Sequence, residues 1–358
     1  MTTRSGRPAL AAVIAACALT GCSAVEFYWQ GIAGQIDLLA RAKPIAQVIE
    51  TTSDPVLKAR LARAQSIRAF ASKELALPDN RSYTSYAELE RPYVLWNVFA
   101  APELSLTPRQ WCFPVAGCVT YRGYFAEEDA RAEAARLTKA GDDVHLGGVP
   151  AYSTLGYFDD PVLSTFVRYR EVELARLIFH ELAHQVVYVK DDTAFNESFA
   201  VTVEEEGVRR WLAAEATLRT PTEAAQLLDD MDRGQRSRAE FRTMIAAARD
   251  RLSALYAGPA SDAEKRAGKA EVFASMRAEN ERWKAASDGT ATFDRWFAAG
   301  ANNAGIVAAG HYADRVPQFK AILEAERGDL PRFYARVKAL AAMAKAEREV
   351  ALAAALTH

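Results

Sequence analysis

His180-Glu181-Leu182-Ala183-His184 constrains this chain more than any other stretch. The histidines are four residues apart, and Leu174, Leu177 and Ile178 recur before them at helical spacing. On a helix, positions i and i+4 lie one turn apart on the same face. Two neutral imidazoles placed this way can grip one zinc ion, with Glu181 beside them at a bound water. From Leu177 to Val189 the motif itself carries all the ionisable charge, as a buried metal helix requires. The pattern predicts zinc-dependent hydrolysis, with a peptide bond as the first candidate substrate.

The chain has 358 residues, 50% of them hydrophobic and 25% charged. That is enough for one large domain or two modest ones. A formal charge of -2 gives no electrostatic footprint for nucleic acid. Beyond the N-terminus no stretch is long and apolar enough to span a bilayer. The N-terminus itself reads as a targeting signal. Arg4 and Arg7 precede an apolar run at residues 9–20, which is too short for a span. That run ends in Leu19-Thr20-Gly21-Cys22, which resembles a bacterial lipobox. The resemblance implies removal of residues 1–21 as a lipoprotein signal peptide, lipidation of Cys22, and anchorage to a membrane surface by acyl chains. Ser23, where an acidic residue is absent, points to the outer membrane and a periplasm-facing protein. A plain secretory signal with Cys22 incidental is the alternative.

Export also bears on Cys112 and Cys118, for which a disulfide is the default in an oxidising compartment. Pro114 and Gly117 suit a tight turn between them, and their spacing is not a usual zinc spacing. Residues 24–46 read as helical or membrane-proximal, with Phe27, Tyr28 and Trp29 either at headgroup level or packed on the domain. A helix is expected over 56–76, β-formers over 92–124, a helix over 127–140, and short strands with a loop over 144–158. The remainder reads as helical. Ser261 and Glu264 match a capping box, and Asp329 with Pro331 starts what reads as the last helix. The fold class is thus mainly α with a small β-sheet (α+β). Residues 22–358 are expected to form a single domain with long C-terminal helices.

A second motif, Asn196-Glu197-Ser198-Phe199-Ala200, follows the first. Asn-Glu-x-x-Ala downstream of H-E-x-x-H resembles the gluzincin metallopeptidases, and the run from Asn196 to Gly207 looks most like the aminopeptidase N type. With the lipobox, the chain is similar to a family of predicted bacterial aminopeptidase lipoproteins. The resemblance implies a zincin-like fold, Zn2+ as cofactor, and Glu197 as third ligand beside His180 and His184. The spacing accommodates this. The first helix can run to about Lys190, Asp191-Asp192-Thr193 can turn the chain with Thr193 as N-cap, and Glu197 then falls in the first turn of the returning helix. Three ligands leave one position open for water. Asn196 and Glu204 are candidates for orienting the ligands, Glu204 lying seven residues past Glu197 on the same face. A solvated charge run is the alternative for Glu204–Glu206.

In this scheme Glu181 takes the proton of the attacking water and passes it to the leaving amine. Tyr312, then His311, are the candidate oxyanion donors, followed by Tyr152 and Tyr157. The Gly-x-Met-Glu-Asn loop with which aminopeptidase N-type enzymes bind the substrate amine does not occur here. Endopeptidase activity therefore fits the same residues, and the Gly147-Gly148 to Gly156 stretch is a candidate edge for an extended peptide. A lipid-anchored interaction or assembly protein, with the histidines in its core, is the reading from another class, and a non-peptidase zinc hydrolase is a third.

Overall fold

The computed structural model describes residues 27–113, 117–286, 293–310 and 315–356. His311, Tyr312 and Cys22 lie outside them. Helix α1 covers residues 27–41. There follow β1 (Lys43–Pro44), α2 (Ile45–Thr51) and α3 (Pro55–Leu75). Asp54 caps α3 by accepting from the N–H groups of Val56 and Leu57, and Pro55 supplies a preset first turn. Ala76, at φ 51°, ends the helix.

The strands come next: β2 (Ser85–Ala87), β3 (Leu95–Pro102), β4 (Trp111–Phe113), β5 (Gly117–Val119) and β6 (Tyr121–Tyr124). Helix α4 (Glu127–Lys139) leads to β7 (Asp142–Val149) and β8 (Val162–Leu163). They form two three-stranded sheets, β1-β2-β8 and β6-β3-β7, and a β4-β5 hairpin. A disulfide joins Cys112 to Cys118 across the hairpin, where the two are register partners. The β6-β3-β7 sheet is antiparallel throughout. One face of it, with Trp96, Val98, Ala100 and Tyr124, buries against Ala130 and Leu137 of α4. The opposite face carries the register row Tyr121–Phe99–His145.

The rest is helical: α5 (Glu171–His184), α6 (Thr193–Ala216), α7 (Pro221–Ala257), α8 (Asp262–Ala286), α9 (Asp294–Ala298), α10 (Asn303–Gly310), α11 (Val316–Ala325), α12 (Leu330–Ala341) and α13 (Lys345–Ala354). The chain is thus mainly helical with small sheets. Helices α5 and α6 form its centre. Leu174, Ile178, Phe179 and Leu182 of α5 are wholly buried, as are Phe195 and Phe199 of α6. Each such side chain contributes roughly 1.5–3 kcal/mol by leaving water. Gly207 sets how closely α6 approaches, because a Cβ there would stand 2.8 Å from both Phe179 and Leu75. On its far side α6 packs against α11 and α12 through Phe319, Phe333 and Tyr334. A separate apolar cluster joins α7, α8 and α10. No helix among the described residues is long and apolar enough to cross a membrane.

Three expected boundaries shift. Helix α5 stops at His184 rather than near Lys190. Val186, Val187 and Val189 are poor helix formers, and the Asn196 amide takes both the N–H and the C=O of Val189 (2.7 and 2.8 Å), removing groups a helix would need. Asp192, not Thr193, caps α6, accepting from the Phe195 N–H. Asp329 does cap a helix, α12, but that helix ends at Ala341 and a further one, α13, follows. The Ser261–Glu264 capping box forms in both directions.

Candidate metal centre

The reversal between α5 and α6 brings His180, His184 and Glu197 together. His180 Nε2 lies 3.2 Å from His184 Nε2 and 3.3 Å from Glu197 Oε2, while His184 Nε2 lies 3.7 Å from Glu197 Oε1. One ligand atom from each residue falls within 4.8 Å of the other two. Zinc at about 2.0–2.2 Å from tetrahedral nitrogen and oxygen donors sets those donors a little over 3 Å apart. The spacing and the His, His, Glu donor set therefore fit a zinc-type ion.

The electrostatics fit as well. Glu204, buried on α6, lies 2.7 Å from His180 Nδ1. A carboxylate can only accept, so Nδ1 carries the hydrogen and the Nε2 lone pair is turned to the other donors. Burial works against a charged His180, but its bonds to Glu197 and Glu204 outweigh that and hold its pKa well above the ordinary value. A cation among the donors would take the place of that second proton. Burial, aided by His180, pushes His184 down to about 4, which keeps it neutral and able to ligate. Glu204 is itself braced, with Arg176 Nε 2.7 Å from its other oxygen. Arg176 reaches Glu173, which also receives Arg238. Glu204→Gln should keep the fold and weaken metal affinity by about 10–100-fold, read by chelator competition.

Glu181, half-buried, lies within electrostatic reach of the same side chains. Burial first, then Glu197, Asp160 and Glu204, push its carboxyl up to about 7, against the opposing pull of His180. Gln185, one turn further along that face, receives the Asn80 amide at 2.7 Å and reaches Ser82 Oγ at 3.2 Å. This turn sets Tyr83 in the wall of the site. Tyr83 is buried, has φ 63°, and its hydroxyl has no hydrogen-bond partner among the described residues.

The other sequence candidates are dispersed. The Asn196 amide clamps Val189 instead of touching a ligand, so it fixes the connection from α5 to α6. Tyr152 bonds Gln35, and Tyr157 is exposed on its loop. Two tyrosines not singled out in the sequence lie nearer. The Tyr188 ring meets His184 edge-on at 6.4 Å. Tyr121, on β6, keeps 36% of its surface exposed, yet desolvation of its hydroxyl and its neighbours Tyr188, Glu197 and Glu181 push it up to about 12, so it keeps its proton. Strand alternation places Tyr121 on one sheet face, but nothing local in the sequence says that this face looks toward α6.

No curated protein and no solved structure matches the chain. A family match, in contrast, runs over residues 26–352, nearly the whole sequence and both metal-site motifs, and its description is "Putative aminopeptidase". The chain belongs to that aminopeptidase family.

Proposed function

We propose that the protein is a zinc-dependent peptidase of the gluzincin kind, with a zincin-like catalytic domain, acting as an aminopeptidase. The observation that carries this reading is the convergence of His180, His184 and Glu197 beside the half-buried Glu181. Family membership supports peptidase activity at the coarse level. His180, His184 and Glu197 would hold the ion, which when bound would supply an acidified water and polarise a carbonyl oxygen. Glu181 accepts the proton of that water and delivers it to the leaving amine. Its raised proton affinity, about 7, suits a group that must both take and release a proton near neutrality. Glu204 keeps the His180 ring in the ligating tautomer. Tyr121 and Tyr188 join Tyr312 and His311 as candidate donors to the developing oxyanion. The lipobox-like segment supports a protein anchored through Cys22 and facing the periplasm at the outer membrane.

The test is metal content together with hydrolysis of N-terminally free and N-terminally blocked peptides. Wild type should hold about one zinc per chain and cleave, whereas Glu197→Ala should lose the ion and all cleavage. Cleavage of free peptides alone establishes an aminopeptidase. Equal cleavage of blocked peptides establishes an endopeptidase, a reading favoured by the missing Gly-x-Met-Glu-Asn loop. A chain without metal or cleavage returns the interaction-protein reading.

A further inference from the structure

A cavity of about 390 Å³ opens between the β6-β3-β7 sheet and helices α5, α6 and α7. It lies within the usual size range of ligand pockets, about 300–1,000 Å³. Its walls include Phe99, Phe241, Phe293 and Trp296, a concentration of aromatic surface. Its other walls come from the two helices that carry the candidate ligands. Arg176 is one turn before His180 on α5, and Val201 and Glu204 are one and two turns after Glu197 on α6. At 1.5 Å per residue, the cavity starts about 6 Å along each helix from the ligands. Arg176 and Arg238, which also line it, spend their charge on Glu173 and Glu204.

The sheet side has an unusual profile. Gly147 of β7, Asn97 of β3 and Gly123 of β6 are register partners, so they form one row across one face. Two positions in that row have no side chain. The third, Asn97, has a buried Oδ1 with no hydrogen-bond partner among the described residues. Gly148 has a packing reason to be glycine, since a Cβ there would strike the Tyr93 ring at 2.2 Å. Gly147 has none. A Cβ at Gly147 would meet only the His145 ring, at 3.7 Å or more. A strand glycine without a packing role marks a place where another chain or ligand comes close. Strand β7 pairs only with β3 among the described residues, so its other edge can take an extended peptide. Asn302 caps that edge at the Val144 carbonyl (2.7 Å), leaving the stretch around Gly147 as the place for pairing. The Asn97 side-chain carbonyl leans the other way, toward Gly123, where a Cβ would stand 3.1 Å from it, leaving the face over Gly147 clear of it.

We propose that this cavity receives a large aromatic side chain of the peptide, next to the scissile bond, while the peptide backbone runs along β7 over Gly147. The inference rests on the peptidase reading for its orientation but not for the pocket itself. Gly147→Val tests it, because valine is favoured in a strand and its methyls would take up space in the cavity that Gly147 lines.

Two measurements on the metal-loaded full chain decide it. Matched peptides with Phe or Ala on either side of the scissile bond should differ in kcat/KM by on the order of 100-fold in wild type, and Gly147→Val should cut that ratio by ~10-fold or more. Calorimetric titration should show phenylalaninamide binding more tightly than alaninamide in wild type and losing that advantage in the variant. Ala309→Leu, which narrows the cavity from α10, should act in the same direction should Gly147→Val fold poorly. Equal handling of Phe and Ala by wild type, or an unchanged ratio in folded variants, overturns the proposal. If wild type cleaves nothing yet prefers phenylalaninamide and loses this in Gly147→Val, the peptidase reading falls and the pocket stands.

Discussion

Glu181→Gln is expected to leave metal content at the wild-type level and to lower kcat by about 10²–10⁴-fold, the usual contribution of a general base. Glutamine keeps the shape of the side chain but cannot take a proton, and position 181 is not among the three converging ligands. Metal analysis beside single-turnover hydrolysis reads both quantities. A variant that loses its metal would place Glu181 among the ligands, and one that keeps full activity would remove it from the chemistry. The same substitution has a stability signature in the metal-free protein. A carboxyl raised from 4.5 to about 7 favours the folded state fully below pH 4.5, and that contribution is lost as pH rises toward 7. The cost of ionising it is on the order of 3 kcal/mol. Metal-free Glu181→Gln should therefore gain on wild type in urea melts as pH goes from 4.5 to 8. A constant difference across that range would contradict the raised proton affinity.

The second large effect lies away from the ligands. Asp192→Ala should destabilise the protein by about 3–5 kcal/mol, because it strands a buried arginine. Asp192 Oδ2 receives Arg348 at 2.7 and 3.2 Å, and its other oxygen receives Arg315 at 3.3 Å. Asp192 and Arg348 are only 4% and 3% exposed, so water cannot substitute for either partner. Asp192 also caps α6, five residues before Glu197, and a lost cap adds to the cost. Thermal melts should show a fall of roughly 10 °C for a chain of this size. Arg315→Ala should cost much less, since Arg315 is partly solvated and Asp192 keeps Arg348. Equal effects of the two variants would mean that the buried pair is not the source of the stability.

Much of this was readable from local pattern. Ser261 and Glu264 announce a helix start in four residues, and the spacing of His180, His184 and Glu197 brings the three ligands to one place once α5 reverses into α6. The misreadings share a cause. The chain leaves the helix before Val189 because an amide from the next element takes both backbone groups of that residue, and no window centred on α5 contains that competitor. Tyr121 reaches the site because an entire sheet face is turned toward α6. The aromatic cavity joins side chains from β3, α7 and α9, residues far apart in sequence that only the assembled fold brings together.

The Asp192–Arg348 pair also sets an order of events. Both histidines and Glu197 leave the ribosome well before residue 348, yet the turn that delivers Glu197 closes on a guanidinium from α13, the last helix described. Long-range closures of this kind come late in folding, after local helices have formed. The candidate third ligand is thus secured only once α13 has docked, which favours loading of an ion after that closure over loading before it. By linkage, an ion that requires Glu197 in place also stabilises the docked C-terminal helices, so metal supply and the integrity of the chain's far end are two readings of one equilibrium.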